Sequence, residues 1–406
     1  MKLPLYHDTN IEPLLHKINS ETCFLSNWNK ENKSLNFPPE IIKNAVNSSL
    51  DQSQNNYFFL DELQEAKKWF IHEALDNTNV NSNNFDFSIS SNGTSSAYLL
   101  INLFHMKKKL KALLITPIYF TYIKVLQDLK VDTYYIEVLE EGKVTINLHK
   151  LEDIIIEYGI NLLIMNDPLL GSGIKITKEM YIDIVNICKK HDVTLFIDFM
   201  YGGMEWNLRN LNVIDEFLLS LFDIYPEIII IESISKRLFL NGIKNCLVYG
   251  SKENISLFER VSVHSLGSLV YSQVTLFKQL YDSNNRSTVL NTIKSNILFA
   301  MNNFELIKTL LMDTEYVISA CESGYFCLIG VPYSEIGNRN NMDIASKLIE
   351  NINILTIPHD RYLFESQTHY YFRVNLSIEQ SILIPALRKI VEFYSRSKTP
   401  YAPISI

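Results

Sequence analysis

The stretch Ile228-Ile229-Ile230-Ile231-Glu232-Ser233-Ile234-Ser235-Lys236 decides the fold prediction for this chain. Four consecutive isoleucines predict a strand buried on both faces, which is typical of a parallel sheet covered by helices. The turn that follows lies at the carboxyl end of that strand, where open α/β sheets bind their ligands. Lys236 is therefore the first candidate functional residue, because a lysine in such a site can lose its proton and react with an aldehyde. Taken alone, it would also fit an ordinary surface lysine.

Similar short apolar runs occur elsewhere between residues 85 and 250. Including the run just quoted, the predicted strands are 110–115, 131–136, 161–165, 194–197, 227–231 and 246–249. Between two of them, the segment 178–191 places apolar residues at i, i+3, i+4 and i+7, which predicts a helix with one apolar face. Strands that alternate with helices predict an α/β fold with a mainly parallel sheet.

The length of 406 residues favours two domains over one core. We expect an amino-terminal arm that forms part of the small domain over residues 1–45, and a large domain over 46–282. Residues 283–406 are expected to form a small α+β domain, because long helical patterns are followed there by two alternating strand patterns and a final helix.

Composition excludes several classes of protein. The net charge of −8 and the lack of a long basic cluster argue against a nucleic-acid partner. The five cysteines are scattered and contain no C-x-x-C pair, so we expect reduced thiols in the cytoplasm and no metal site. No apolar run approaches the ~18 residues of a membrane-spanning helix, and residues 1–8 turn polar too early for a secretory signal.

Asp198 is a second candidate, because it ends a predicted strand and precedes Tyr201 by three residues. A buried carboxylate is unfavourable unless it is paired. A protonated pyridine nitrogen would be a suitable partner, and the pair would keep that ring an electron sink. A turn acid or a helix cap explains Asp198 equally well when it is taken alone.

The small-residue turn at 90–97, Ser-Ser-Asn-Gly-Thr-Ser-Ser-Ala, is a third candidate. It leads into an apolar helix pattern, and the amino terminus of a helix offers unpaired N–H groups that suit a phosphate. Serine and threonine are also ordinary helix caps. The turn becomes informative only together with the other two motifs.

In sequence order, these motifs resemble the class I/II aminotransferases, which use pyridoxal 5′-phosphate (PLP). The resemblance spans residues 56–376 and consists of Gly93-Thr94-Ser95, Thr116-Pro117-Ile118-Tyr119, Asn166-Asp167-Pro168, Gly171-Ser172-Gly173, Asp198 with Tyr201, Ser233-x-Ser235-Lys236, Gly242 and Arg373. It implies fold type I, in which a large domain with a mainly parallel seven-stranded sheet flanked by helices is joined to a small α+β domain.

The resemblance implies the roles of three catalytic residues. Lys236 would form the internal aldimine with PLP and move the proton at the substrate Cα. Asp198 would pair with the pyridine nitrogen, and Tyr201 would contact the phenolic oxygen of the cofactor.

The resemblance also implies the remaining contacts. The phosphate ligands would be Gly93, Thr94, Ser95 and Ser233, joined by Tyr57 from the neighbouring subunit of a homodimer. Tyr119 would stack on the cofactor ring, and Arg373 would bind the substrate α-carboxylate through a two-pronged pair. The alternative is structural, with Tyr57 and Tyr119 as core aromatics and Arg373 as a surface strand residue.

Two positions depart from the family pattern. Leu170 stands where the family has the asparagine that hydrogen-bonds the phenolic oxygen, so Tyr201 would hold that oxygen alone unless Asn166 or a shifted loop contributes. Lys244 stands where the family has a phosphate-binding arginine, eight residues after Lys236. Lysine keeps the charge but not the planar two-pronged geometry. The turn at Tyr57 also lacks the usual glycine.

Three functions follow from the resemblance and these departures. The first is an aminotransferase that moves an amino group between an amino acid and a 2-oxo acid. The second is a PLP enzyme that does not transaminate, such as a lyase, cyclase or oxidase in natural-product biosynthesis, which Leu170 and Lys244 favour. The third is a non-catalytic relative, which the joint presence of Lys236, Asp198, Tyr201 and Arg373 argues against.

Overall fold

The computed structural model describes residues 12–28, 37–76, 78–140, 142–265, 269–362 and 364–396. Parts of the predicted arm, at 1–11 and 29–36, lie outside these residues. The strands are β1 (Cys23–Phe24), β2 (Asp86–Ser90), β3 (Lys111–Thr116), β4 (Asp132–Glu137), β5 (Leu139–Glu140), β6 (Lys143–Val144), β7 (Leu162–Asn166), β8 (Thr194–Phe199), β9 (Ile228–Glu232), β10 (Cys246–Gly250), β11 (Val317–Ile318), β12 (Phe326–Pro332), β13 (Ile354–Leu355) and β14 (His369–Asn375).

Helices cover both faces of the main sheet. They are α1 (Glu12–Leu15), α2 (Pro39–Asn55), α3 (Leu60–Phe70), α4 (Gly93–Lys107), α5 (Phe120–Asp128), α6 (Leu148–Tyr158), α7 (Lys178–Lys190), α8 (Glu216–Ser220), α9 (Ile234–Arg237), α10 (Lys252–Ser265), α11 (Tyr271–Tyr281), α12 (Arg286–Leu311), α13 (Tyr333–Ile336), α14 (Asn341–Ile352) and α15 (Gln380–Arg396). A π-helical turn, Ile71–Leu75, extends α3, and short 3-10 turns lie at Leu208–Asn210, Leu221–Asp223 and His359–Tyr362. Among the helices of the described ranges, none has the length and apolar character needed to cross a membrane.

The main sheet has seven strands in the order β2-β10-β9-β8-β7-β3-β4 within the described residues. Neighbouring strands are parallel except for β10, which is antiparallel to both β2 and β9. This confirms the predicted mainly parallel seven-stranded sheet. The predicted strand bounds lie within two residues of the observed ones. Strand β2 had no predicted counterpart, because its sequence, Asp-Phe-Ser-Ile-Ser, contains too few apolar residues to stand out.

The four isoleucines of β9 explain why the sheet is covered on both sides. Ile228 and Ile230 pack into one apolar core, whereas Ile229 and Ile231 pack into the core on the opposite face. Successive side chains of a strand point to opposite faces, so an uninterrupted apolar run requires apolar partners on both. All four side chains are almost fully buried, which stabilises the fold by about 1.5–3 kcal/mol per residue.

The carboxy-terminal third forms a separate three-stranded antiparallel sheet in the order β11-β12-β14. The amino-terminal strand β1 pairs in parallel with β13, and the Asn375 N–H donates to the Leu25 carbonyl at 2.8 Å. The first described residues therefore pack on the carboxy-terminal third. The domain boundaries at residues 45 and 282 stay predictions.

Candidate active site

A cavity of about 320 Å³ lies at the carboxyl ends of the parallel strands. Asn166 ends β7, Asp198 lies next to the end of β8, and Ser233 follows β9 directly. Strand β10 runs in the opposite direction, so the residue that precedes it, Asn245, reaches the same edge. Parallel strands end together at one edge, and this is where α/β folds place their sites.

Nine of the residues that the sequence predicted line this cavity. They are Gly93, Thr94, Tyr119, Asn166, Asp198, Tyr201, Ser233, Lys236 and Lys244. Leu170, at the position of the family asparagine, also lines it. Ser95, Tyr57 and Arg373 do not line it.

The amine of Lys236 lies inside the cavity, 3.2 Å from Asn241 Oδ1 and 5.6 Å from the centre of the Tyr201 ring. Burial lowers the pKa of this amine to about 8, with a further lowering by the charge of Lys244 and an opposing effect of Asp198. Burial disfavours the charged form of an amine. A substantial fraction of Lys236 is therefore neutral and nucleophilic slightly above neutral pH.

The backbone that carries Lys236 is fixed through its neighbour Arg237, which is almost fully buried. The Arg237 guanidinium pairs with Glu232 at 2.6 Å and donates to the carbonyls of Gly202 and Val213 at 2.9 and 2.8 Å. The second Glu232 oxygen accepts from the Tyr249 hydroxyl at 2.8 Å. This buried network anchors the four-residue helix α9.

Asp198 is a buried carboxylate held by hydrogen-bond donors. The Tyr122 hydroxyl donates to Oδ2 at 2.9 Å, and the Met200 N–H donates to Oδ1 at 3.1 Å. Burial raises the pKa of Asp198, although these two donors, Asn166 and Lys236 oppose the shift. A cationic ring nitrogen in the cavity would supply the partner that such a carboxylate needs.

Hydrogen-bond donors also line the cavity at the start of α4 and just before β10. Gly93 and Thr94 begin α4, whose cap Asn92 accepts the Ser95 N–H at 2.8 Å. That bond occupies the Ser95 N–H, so Ser95 acts as a capped helix residue in this structure. Ser233 Oγ donates to Asn245 Oδ1 at 3.0 Å, and the buried Asn245 Nδ2 has no partner in the described chain. An orphaned donor beside a helix amino terminus and Lys244 fits an anionic group such as the PLP phosphate.

Arg373 lies behind the cavity wall. Its guanidinium carbon is 3.3 Å from the centre of a Trp28 ring, and Trp28 itself lines the cavity. Nη2 donates to the Ser26 carbonyl, whereas Nε and Nη1 are buried with no hydrogen-bond partner among the described residues. The arginine thus keeps unused donors, but the indole separates it from the cavity.

Tyr57 lies on the surface of the single chain, with 76% of its surface exposed. It belongs to the short segment between α2 and α3, and the Tyr271 hydroxyl contacts its carbonyl at 3.5 Å. In the single chain it does not line the cavity. Its predicted contact with a second subunit stays a prediction.

Several residues at the cavity had not been predicted, among them Trp28, Asn241, Asn245 and Tyr122, which donates to Asp198. Asn241 accepts from Lys236 and donates to the Trp28 carbonyl at 3.0 Å, so it joins the amino-terminal segment to the lysine. Asparagine is common in ordinary turns, so neither amide stood out. The one available signal was proximity, since both lie within nine residues of Lys236.

Comparisons with known proteins identify the fold. The fold matches a PLP-bound C-S lyase from Staphylococcus hominis with a TM-score of 0.73, at 18% identity over 95% of this chain and 94% of that one. It matches a kynurenine aminotransferase from Pyrococcus horikoshii with a TM-score of 0.79, at 14% identity over 98% and 96%. A protein from Escherichia coli with a methionine aminotransferase function gives 0.75, at 14% identity over 96% and 97%. None of the curated proteins compared with the chain matches it in sequence.

The fold is that of the fold-type I, PLP-dependent enzymes. The family model of aminotransferase class I and II matches residues 24–390, and the chain belongs to this family. The resemblance found in the sequence is thereby confirmed. The match begins well before residue 56, so the amino-terminal segment resembles the family more closely than its motifs indicated.

Proposed function

We propose that the protein is an aminotransferase that transfers the amino group of an amino acid to a 2-oxo acid. The observation that carries this proposal is the buried Lys236 amine, with its pKa lowered to about 8, in one cavity with Asp198 and the donors at the start of α4. When bound, PLP withdraws electrons from the substrate Cα. The family includes aminotransferases, and two of the structural neighbours carry that activity in their names.

The side chains around the cavity would have different roles in the reaction. Lys236 would hold the cofactor through its amine; once the substrate amino group has replaced it there, the freed neutral amine would take the proton from Cα and return it to the product. Asp198 would keep the ring nitrogen in its charged form, and Tyr201 would contact the phenolic oxygen with help from Asn166. Arg373 binds the substrate carboxylate through its unused N–H groups once the Trp28 indole moves aside.

The test is an absorbance spectrum of the purified protein with PLP, for the wild type and Lys236→Ala, before and after adding a panel of amino acids. We expect a lysine-dependent visible band, conversion of that band by some amino acid with release of a 2-oxo acid, and reversal by a second 2-oxo acid. A wild-type protein without any lysine-dependent band would contradict the proposal.

A second candidate is a PLP lyase, because Leu170 replaces the usual amide in the cavity lining and one structural neighbour is a C-S lyase. Steady release of ammonia and a 2-oxo acid from a cysteine conjugate, without an added 2-oxo acid, would favour this reaction. Stoichiometric transfer without free ammonia would favour transamination.

We also propose a cytoplasmic homodimer with shared sites. Exposed apolar side chains cluster in sequence and space near Tyr57, and Phe59 and Val270 are 57% and 51% exposed. Clustered exposed apolar surface is typical of an interface. The buried thiols of Cys188, Cys246, Cys321 and Cys327 suit a reducing compartment. Co-expression of Lys236→Ala and Tyr57→Ala chains should restore activity through mixed dimers; an active monomer in light scattering would contradict the proposal.

A further inference from the structure

Among the described residues that line the cavity, Asn245 carries a buried side-chain donor without a partner. Only 5% of the residue is exposed, and its Oδ1 accepts from Ser233 Oγ at 3.0 Å. Its Nδ2 is buried and has no hydrogen-bond partner among the residues that the structure describes. A buried donor without an acceptor is unfavourable, so its retention calls for a ligand or another explanation.

The groups around Asn245 define the charge of that ligand. The charged residues that line the cavity are Asp198, Lys236 and Lys244. Asp198 is already bonded to Tyr122 and Met200. The cavity therefore offers the Asn245 Nδ2, N–H groups at the start of α4 and the Lys244 ammonium, which together suit an anion with several acceptor oxygens. The Ser233 hydroxyl proton is directed to Asn245 Oδ1.

We propose that Asn245 Nδ2 donates to the PLP phosphate, and that Lys244 and Asn245 together replace the single arginine that the family uses there. An arginine supplies a charge and rigid donors in one group. In this chain Lys244 supplies the charge, and Asn245 supplies a donor whose direction is fixed by the bond from Ser233. The inference concerns cofactor binding and holds whichever reaction the enzyme catalyses.

The discriminating variant is Asn245→Asp, which keeps the shape and the oxygen that accepts from Ser233 but replaces the donor with a negative charge. PLP and pyridoxal, which lacks the phosphate, are titrated separately into the PLP-free protein, and each dissociation constant is measured by absorbance. We expect Asn245→Asp and Asn245→Ala to weaken PLP binding about 10- to 100-fold. Pyridoxal binding should stay unchanged, because it makes no phosphate contact.

The control is Asn254→Ala. Asn254 is equally buried, at 5% exposure, but donates to Glu227 and does not line the cavity. This variant should leave the ratio of PLP to pyridoxal affinity unchanged. Equal losses for PLP and pyridoxal in the Asn245 variants would assign Asn245 a purely structural role and overturn the proposal, as would undiminished PLP binding.

Lys244→Arg gives a second test that does not require a disruptive change. If arginine restores both functions in one side chain, Asn245→Ala should weaken PLP binding less in the Lys244→Arg background than in the wild type. Such non-additivity is expected when two side chains share one ligand. Strictly additive effects of the two substitutions on PLP affinity would contradict the proposal that Lys244 and Asn245 bind the phosphate together.

Discussion

Few groups near Lys236 stabilise its positive charge, because Lys244 repels it and Asp198 offsets burial only in part. We expect an acylating reagent to modify Lys236 of the PLP-free protein at a rate that reaches half its maximum near pH 8. Mass spectrometry of the peptide that contains Lys236 measures this rate. The rate should rise with pH, because only the neutral amine reacts. Ordinary lysines have a pKa near ~10.4 and provide an internal control; a half-maximal rate for Lys236 above pH 10 would contradict its burial.

Among the described residues that line the cavity, no charged group is left for a substrate side chain once the cofactor contacts are assigned. Beyond Asp198, Lys236 and Lys244, its lining includes Trp28 and Leu170, which pack in one apolar cluster. We therefore expect amino acids with apolar side chains to have kcat/KM values about tenfold or more above those of acidic ones.

Leu170 provides the test of that preference. Leu170→Asn should reduce the preference for apolar amino acids, whereas Leu170→Met should keep it, because methionine preserves apolar character and volume. A wild-type preference for aspartate or glutamate would show that charged groups from elsewhere contact the substrate.

Single residues were predictable where they follow a strong strand pattern. Lys236 and Asp198 stand beside long apolar runs, so their place at the sheet edge followed from the sequence. Asn245 precedes an antiparallel strand, and its position at the same edge depends on strand direction, which no local pattern reveals. The contact of Trp28 with Arg373 joins residues 345 positions apart, and only the tertiary fold shows it.

At the scale of elements, helix α9 depends on the buried Glu232–Arg237 pair. Arg237→Leu leaves the Glu232 carboxylate buried without its cation, and we expect the free energy of unfolding to fall by about 3–5 kcal/mol. Urea unfolding of the PLP-free protein measures this loss. Glu40→Ala removes the exposed Glu40–Lys43 pair and should change stability by about 0.5 kcal/mol or less. Similar losses in both variants would contradict the anchoring role.

Elements were predicted best where burial leaves a regular apolar pattern in the sequence. The helix predicted over 178–191 is observed at Lys178–Lys190, with its apolar face buried. The strand β2 was missed because Ser88 and Ser90 are buried despite being polar. Ser90 Oγ meets Ser96 Oγ at 2.7 Å, a tertiary hydrogen bond that compensates for burial and leaves no apolar pattern.

At the scale of the whole molecule, Asp167 should make stability depend on pH. Burial raises the pKa of this carboxyl from 3.8 to about 7, although Lys175, the Ile176 N–H and the Tyr181 hydroxyl oppose the shift. Between these values the folded chain holds a proton that the unfolded chain has lost. The free energy of unfolding therefore falls as pH rises through this window.

Asp167→Asn should remove that dependence. Between pH 5 and pH 8, we expect the wild type to lose about 2–3 kcal/mol more stability than the variant, measured by urea unfolding at both pH values. Comparing each protein with itself cancels any constant effect of the substitution. Parallel pH profiles would show that Asp167 is charged in the folded protein across this range.

The order of strands and helices predicted the overall class, because a parallel sheet requires a crossover helix between its strands. The limits of the domains and the number of subunits depend on contacts between distant surfaces. Tyr57 illustrates the difficulty, since an exposed tyrosine on a single chain has the same sequence signature as one in an interface.

Strands β9 and β10 are antiparallel neighbours, and the segment that connects them, residues 233–245, forms a closed loop at the site. The two strands pair with Leu247 opposite Glu232, and the Ser233–Asn245 hydrogen bond closes the base of the loop. On the proposed contacts, this one loop holds the cofactor at two points, at the Lys236 amine and at the phosphate. A ligand released at one point stays at high effective concentration near it. The cofactor should therefore rebind many times before it escapes, and its residence time should exceed the lifetime of either contact alone.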